Sequence, residues 1–527
     1  MRTRVHHLLE EAAARHPRRP ALTAGQTTRT YDEVWQEVRA VAAGLVGLGV
    51  RPGDRVAVFL DKRVETVVSL LAASSAEAAF VPVNPVLKPR QVAHVVADSG
   101  ALVLVTTARR WATLTESLRA TGLRHVVLVD DPGEAPQDRP AVHTYAALSG
   151  ADPLPVPSPR PPDGDRAAIL YTSGSTGSPK GVVLSHRNLL VGAESVSTYL
   201  GNTSDDVILG ALPLSFDAGL SQVTTAMAVG AHVVLANYLV ARDLVALCAR
   251  HGVTGLTCVP PLWIQLMEQE WPLEATRSLR YFANTGGKMP ATTLKGLRDT
   301  FPAADPYLMY GLTEAFRSTY LDPAQVDLRG DSIGKAIPNA EILVLRPDGS
   351  RCQPGEEGEL VHRGPLVALG YWNDPERTAQ RFRPLPGTPH WQAPELAVWS
   401  GDTVVADEEG FLYFVGRTDE MIKTSGYRVS PTEIEEAAYR TGLVRDAVAL
   451  GIPEEGLGHR VVLAAAGEAL DAAELLRALR RDLPLFMVPA EVVLRAELPR
   501  SPNGKFDRVA LSAEVARGLA DRPGGAS

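Results

Sequence analysis

The stretch Tyr171-Thr-Ser-Gly-Ser-Thr-Gly-Ser-Pro-Lys-Gly181 decides how the rest of the chain is read. Gly174, Gly177 and Gly181 let the backbone turn sharply and bring N–H groups toward an anion. Thr172, Ser173, Ser175 and Thr176 add hydroxyl donors and Lys180 adds a full positive charge, so the stretch has the make-up of a phosphate cradle. The apolar runs Ala167-Ala-Ile-Leu-Tyr171 before it and Val182-Val-Leu184 after it predict two β segments joined by a loop that can move. Two other phosphate loops are excluded. A Walker-type loop needs Ser or Thr directly after its lysine, and Gly181 stands there. A dinucleotide fingerprint needs a G-x-G-x-x-G rhythm, which this stretch lacks.

Around this loop, strand and helix patterns alternate. Arg55-Val-Ala-Val-Phe-Leu60 reads as a strand, 65–73 as a helix and Ala79-Phe-Val-Pro82 as a strand, with Leu102-Val-Leu-Val105 and His125-Val-Val-Leu-Val129 continuing the series. The alternation predicts helix-covered, mostly parallel sheets. The proline-rich stretch 131–165 reads as a surface connection within one domain. Strand–helix pairs then resume through residue 283, and ligands of such sheets sit beyond the carboxyl ends of the strands, where Asp217, Gly286 and Tyr310 fall. From about residue 332 short β runs with turns predict a β-barrel-like subdomain. Beyond residue 416 a small α+β unit begins, its first helix signalled by Ser430-Pro-Thr-Glu433 as a capped start.

Length and composition set bounds on what the chain does. With 527 residues it is too long for one compact core. Apolar residues at 45% and charged residues at 22% describe an ordinary soluble globular protein. A net charge of −8 without a basic tract argues against nucleic acid as a partner. Cys248, Cys258 and Cys352 lack zinc-ligand spacing and suit a reducing cytoplasm. Neither a secretory leader nor a membrane-spanning run is expected from the pattern of apolar residues.

The loop does not stand alone. Tyr310-Gly-Leu-Thr-Glu314, Ser400-Gly-Asp402, Gly416-Arg-Thr-Asp419 with Lys423, Gly426 and Arg428, and Pro502-Asn-Gly-Lys505 follow it in order. Together these motifs resemble those of the adenylate-forming superfamily of acyl-CoA synthetases, peptide-synthetase adenylation domains and luciferases, over nearly the whole chain. The resemblance implies an α/β core at 1–416 that binds ATP and a carboxylic acid, and a mobile C-terminal domain at 417–527 that turns about a hinge at Asp419. It implies an AMP-forming acid–thiol ligase with ATP and Mg²⁺ as cofactors.

By the same resemblance Thr172, Ser173, Gly174, Ser175, Thr176, Gly177 and Lys180 face the β and γ phosphates. Gly286, Gly287, Lys288, Tyr310 and Gly311 bind the nucleotide, with Tyr310 stacking on adenine, while Thr313 and Glu314 meet the α-phosphate and, with Thr176, magnesium. Asp402 accepts the ribose hydroxyls and Arg417 reaches ribose or phosphate. Lys505, after a tight Asn-Gly turn, bridges the acid and the α-phosphate. Gly426 and Tyr427 line a tunnel for a thiol once the hinge has turned.

The acid is read from Asp217. Phe216-Asp217 resembles the pair with which peptide-synthetase domains meet a substrate amino group. A buried carboxylate without a cation is costly, so Asp217 either meets an ammonium or caps a backbone, and the ammonium is preferred. Ser221, Leu262, Trp263, Ala283, Thr285, Met309, Arg317 and Ser318 complete the pocket by the same alignment. Arg317 either binds a second carboxylate or is structural. The segment 311–321 looks closest to stand-alone amino acid:carrier-protein ligases, such as prolyl-carrier-protein ligases, and to exosortase-associated acyl-CoA ligases. An amino acid such as proline, loaded onto the phosphopantetheine of a separate carrier protein, is therefore expected. A non-amino acid joined to coenzyme A is the alternative.

Overall fold

The computed structural model describes residues 1–130, 140–153, 161–172, 179–386, 391, 395–417, 421–454, 456–467, 470–499 and 506–520. Short runs of Val, Ile and Leu form strands buried on both faces, as parallel sheets between helices require. The loop foreseen as a phosphate cradle joins β1 (Arg166–Thr172) to β2 (Lys180–Ser185), an antiparallel hairpin. Beyond β1 the strands Ala79–Pro82, Arg55–Val58, Val103–Thr106, His125–Leu128 and Ala141–Thr144 follow in parallel, and Gly370–Tyr371 lies outside β2, completing an eight-stranded sheet. The stretch read as a plain surface connection thus contributes an edge strand, and a short helix, Tyr145–Ser149, follows that strand directly.

Two helices fill the space behind the hairpin. α1 (His186–Tyr199) starts at Ser185, whose hydroxyl accepts from Asn188 N–H in a capping box, and α2 (Asp217–Val229) starts where Phe216 leaves an extended conformation. Both are buried on most faces. The second sheet has nine strands. It runs Thr27–Thr30, Pro20–Ala24, His232–Leu235, Val207–Gly210, Gly255–Cys258, β3 (Tyr281–Asn284), β4 (Asp305–Tyr310), β5 (Thr319–Leu321) and Lys335–Ala336. Pro20–Ala24 through β4 are parallel, and the outer strands are antiparallel. The largest core cluster takes residues from both sheets and from the helices between them.

A third sheet of five antiparallel strands stands where the barrel-like subdomain was expected. It contains Glu341–Leu345, Glu357–Arg363, Phe382–Pro384, β6 (Leu396–Ala406) and β7 (Leu412–Arg417), and its pairing path is open among the described residues. The C-terminal unit has its own five-stranded sheet, which includes β8 (Ile422–Thr424) and β9 (Tyr427–Val429), with separate apolar clusters formed around it. Its first helix is Pro431–Arg440, with proline at the start as foreseen. The capped start is not realised: Ser430 makes no side-chain cap bond, and its buried hydroxyl has no partner. No helix among the described residues is long and apolar enough to cross a membrane.

A close packing contact joins α1 to the turn that follows β4. The ring of Phe316 lies so close to Gly192 of α1 that a Cβ there would come within 2.4 Å of Phe316 Cδ1. Gly192→Val is therefore expected to destabilise the protein by about 1–3 kcal/mol through overpacking. A lowered thermal midpoint in a calorimetric scan checks it, and an unchanged midpoint contradicts it.

Candidate active site

The carboxyl ends of the central strands, the third sheet and the C-terminal sheet enclose one large cleft of about 910 Å³. Thr172, Asp217, Gly286, Gly311, Asp402 and Gly426 all line it, so residues up to 254 positions apart share one chamber. The Oγ1 of Thr172, at the end of β1, is buried without a hydrogen-bond partner and belongs to this wall. A phosphate oxygen is the kind of acceptor it lacks.

Next to the cleft sits a buried charge cluster. Lys180 Nζ lies 3.1 Å from Glu314 Oε1 and donates to the Tyr371 hydroxyl at 2.8 Å, and that hydroxyl donates to Glu314 Oε1 at 2.7 Å. Glu314, in the short turn after β4, is 1% exposed. Burial by itself would raise its pKa, but the charges of Lys180, Arg428 and Arg381 and the Tyr371 bond outweigh it and hold the carboxyl well below the usual range. Burial lowers the pKa of Lys180, with Glu314 opposing and the two arginines adding to the fall.

The Tyr310 hydroxyl, at the end of β4, donates to Asp402 Oδ2 on β6, and the Ser400 hydroxyl accepts from Asp402 N–H. Arg417 ends β7 directly opposite Asp402 in register. Gly286 has φ of +76° at the turn after β3, and a Cβ there would meet Val259 at 3.1 Å. Gly426 approaches the same place from the C-terminal unit: it has φ of +79°, and its own Cβ would come within 2.9 Å of Val259. Tyr427 stacks on Phe486 at 3.9 Å and meets Phe216 edge-on at 5.2 Å. Glycine at 426 is thus what lets the C-terminal unit close against the turn at Gly286.

At the other end of the cleft Asp217 opens α2. Its carboxylate accepts from Arg317 Nη1 at 3.0 Å and from the backbone N–H of Ala218. Burial pushes its pKa up and Arg317 opposes the rise. Asp217 thus has a cation within the chain, where the sequence reading supplied one from the substrate. Arg317 follows Phe316, whose φ of 58° and ψ of −53° form a tight turn closed by Arg317 N–H donating to Ala315 O.

Several expected residues are placed elsewhere. Lys288 is exposed and neither it nor Gly287 lines the cleft, because the turn after β3 carries them outward. Ser318 is fully buried and hydrogen-bonds His362 Nδ1 at 2.9 Å, so it faces the third sheet and not the acid pocket. Trp263 donates to Ala283 O and both are core. Ser221 and Met309 line a separate cavity of about 20 Å³, whereas Thr285 and Thr313 line the main cleft. Ser173, Gly174, Ser175, Thr176, Gly177, Asp419 and Lys505 lie outside the described residues.

Sequence reasoning missed three groups here. Tyr371 enters through the two-residue strand added to β2, a pairing with no local signal. Lys62 lines the cleft with its ammonium donating to Ala211 O, and burial brings its pKa down to about 7. Glu433, read as a helix-start residue, also lines the cleft, and burial raises its pKa to about 7.

Comparison with known proteins agrees with this geometry. Residues 9–372 match the model of the AMP-binding enzymes and residues 433–505 that of the AMP-binding enzyme C-terminal domain. The chain is 34% identical to an L-proline–[L-prolyl-carrier protein] ligase of Streptomyces coelicolor, with 95% of each chain covered. It is 31% identical to a long-chain-fatty-acid–CoA ligase of Salmonella typhimurium, covering 98% of this chain and 95% of that one. It also matches a linear gramicidin synthase of Brevibacillus parabrevis at 31% identity, over 97% of this chain but only 6% of that protein's length. The o-succinylbenzoate CoA synthetase of Bacillus subtilis superposes with a TM-score of 0.82 at 25% identity, over 96% of this chain and 98% of that one. The chain belongs to the AMP-binding enzymes and is an AMP-forming acid–thiol ligase.

Glu314 gives a test that needs no substrate. Its pKa is depressed on folding, so its contribution to stability is present above the unfolded value of about 4.3 and is lost as pH falls toward the folded value. Wild type is expected to melt above Glu314→Gln at pH 7, with the gap narrowing from about pH 5 to pH 3. A gap independent of pH contradicts this account.

Proposed function

We propose that the protein joins a carboxylic acid to AMP, releasing pyrophosphate from ATP, and then passes the acyl group to the thiol of a phosphopantetheine arm. One observation carries the reading. The charge cluster at Lys180 and Glu314, the Asp402–Tyr310 pair, and Gly426 of the C-terminal unit all adjoin a single cleft.

In this reading the cradle before Lys180 holds the β and γ phosphates and Lys180 follows the charge that leaves with pyrophosphate. Asp402 accepts both ribose hydroxyls, which two carboxylate oxygens suit, and its bond to Tyr310 sets the ring beside which adenine lies. Thr313 lies on the cleft wall for the α-phosphate. Magnesium fits the donor set at Glu314. An ionised carboxylate with nucleotide phosphates makes up the usual ligands of that ion, and Thr176 is the second protein ligand by resemblance. When bound, the ion would neutralise phosphate charge. Lys505 orients the acid carboxylate toward the α-phosphorus and then withdraws with the C-terminal unit, and the seat of Gly426 against Val259 is the arrangement that suits the second half-reaction. A carrier protein is the preferred owner of the thiol, following the prolyl-carrier-protein ligases, and coenzyme A is the alternative, following the fatty-acyl ligases.

Two variants separate the half-reactions. Gly426→Leu is expected to keep acid-dependent pyrophosphate exchange while thioester formation falls at least a hundredfold, because the side chain fills the space beside Val259 (roughly 10²-fold for a 1 Å misplacement). Lys505→Ala is expected to do the opposite when a preformed acyl-adenylate is supplied. Exchange and thiol capture measured side by side check both, and equal loss of the two activities in each variant contradicts the alternation.

A further inference from the structure

The contact between Arg317 and Asp217 bears on which acid enters. Asp217 is the carboxylate that an amino acid's ammonium would need, and its Oδ2 is held at 3.0 Å by Arg317 Nη1. A second cation placed there would lie against the guanidinium or would have to displace it.

Arg317 is not free to leave. It is 3% exposed, and Nη1 also donates to the carbonyl of Phe316 at 3.4 Å. On one side a Cβ at Gly311 would already be 3.2 Å from Arg317 Cα. On the other side is the cavity of about 20 Å³ lined by Ser221, Thr225, Tyr281 and Met309, which has room for about one water and not for a guanidinium. Arg317 and Ala218 line both that cavity and the main cleft, so they stand between the two.

The backbone also fixes it. The turn at Phe316 is the rare, strained form, adopted here by a bulky aromatic residue, and such strain persists only where the surroundings over-determine it. They do so through the ring wedged on Gly192. The residue that this strained turn delivers is Arg317. Its Nε is buried without a hydrogen-bond partner, so the side chain is held chiefly through Nη1, on Asp217 and the Phe316 carbonyl.

We propose that Arg317 determines acid specificity by occupying the counter-ion position of Asp217, so that the preferred acid carries no α-ammonium group and has hydrogen or a neutral oxygen substituent in its place. The proposal rests on the acid–thiol ligase reading above. The pair Asp217–Arg317 then presents to the acid a net-neutral, donor-bearing floor. The amino acid expected from Phe216-Asp217 alone is disfavoured by charge and not by size.

The test is a ratio within each enzyme preparation. Pyrophosphate exchange is measured with matched triplets: proline, tetrahydrofuran-2-carboxylate and cyclopentanecarboxylate; alanine, lactate and propionate; phenylalanine, 3-phenyllactate and 3-phenylpropionate; and 2-aminooctanoate, 2-hydroxyoctanoate and octanoate. In the best-used triplet, wild type is expected to favour a member without nitrogen by at least about tenfold in kcat/KM. Arg317→Gln frees Asp217 and is expected to shift the ratio toward the ammonium-bearing member by at least about tenfold, while Arg317→Lys keeps the wild-type preference. A loss of folding lowers both members of a pair and leaves the ratio as it was. A wild-type preference for the ammonium-bearing acid, or a ratio unmoved in Arg317→Gln, overturns the proposal. Failure of every acid in wild type to support pyrophosphate exchange overturns the ligase reading itself.

Discussion

A carboxylate that is 1% exposed must be compensated, and Glu314 joins a cluster whose three members come from different parts of the chain. Lys180 comes from the hairpin of the first sheet, Glu314 from the turn after β4 of the second, and Tyr371 from the short strand that extends the first. Removing any one leaves a charge or a hydroxyl stranded in a low-dielectric interior. The cluster therefore does two things: it ties the edges of two sheets together, and it keeps an ionised carboxylate and an ammonium beside a cleft where phosphate charge has to be handled.

Much of this was legible beforehand, for a physical reason. The hairpin, the strands that lead to the site and the helix after Ser185 depend on local periodicity and capping, which a sequence carries openly. The ordered motifs named Asp402 and Gly426, which line one cleft, and Glu314, which meets Lys180 beside it. What was not legible depends on neighbours that no local pattern names. Phe316 in a left-handed turn has no sequence signal, since a bulky aromatic is the wrong residue for it. The orientation of Arg317 toward Asp217 follows from that turn, and so does the difference between a substrate-supplied cation and one supplied by the chain. Ser318 was assigned to the pocket, but it lies just before β5 and faces His362 instead.

The C-terminal unit shows the same division. Its helices and strands could be read, but the seating of Gly426 on Val259 and of Tyr427 between Phe486 and Phe216 could not. These contacts join one glycine and a few aromatic rings across the two units. An interface of that kind holds a unit in place without committing it there.

The pairing of Pro20–Ala24 with His232–Leu235 has a consequence for how the chain comes to be folded. The strand Pro20–Ala24 has no parallel neighbour until more than two hundred further residues have been made, because its partner ends at residue 235. Its apolar residues Ala21 and Leu22 are fully enclosed in the finished sheet and share a cluster with residues of both large sheets. Closure of the nine-stranded sheet is thus a late, high-contact-order event in folding.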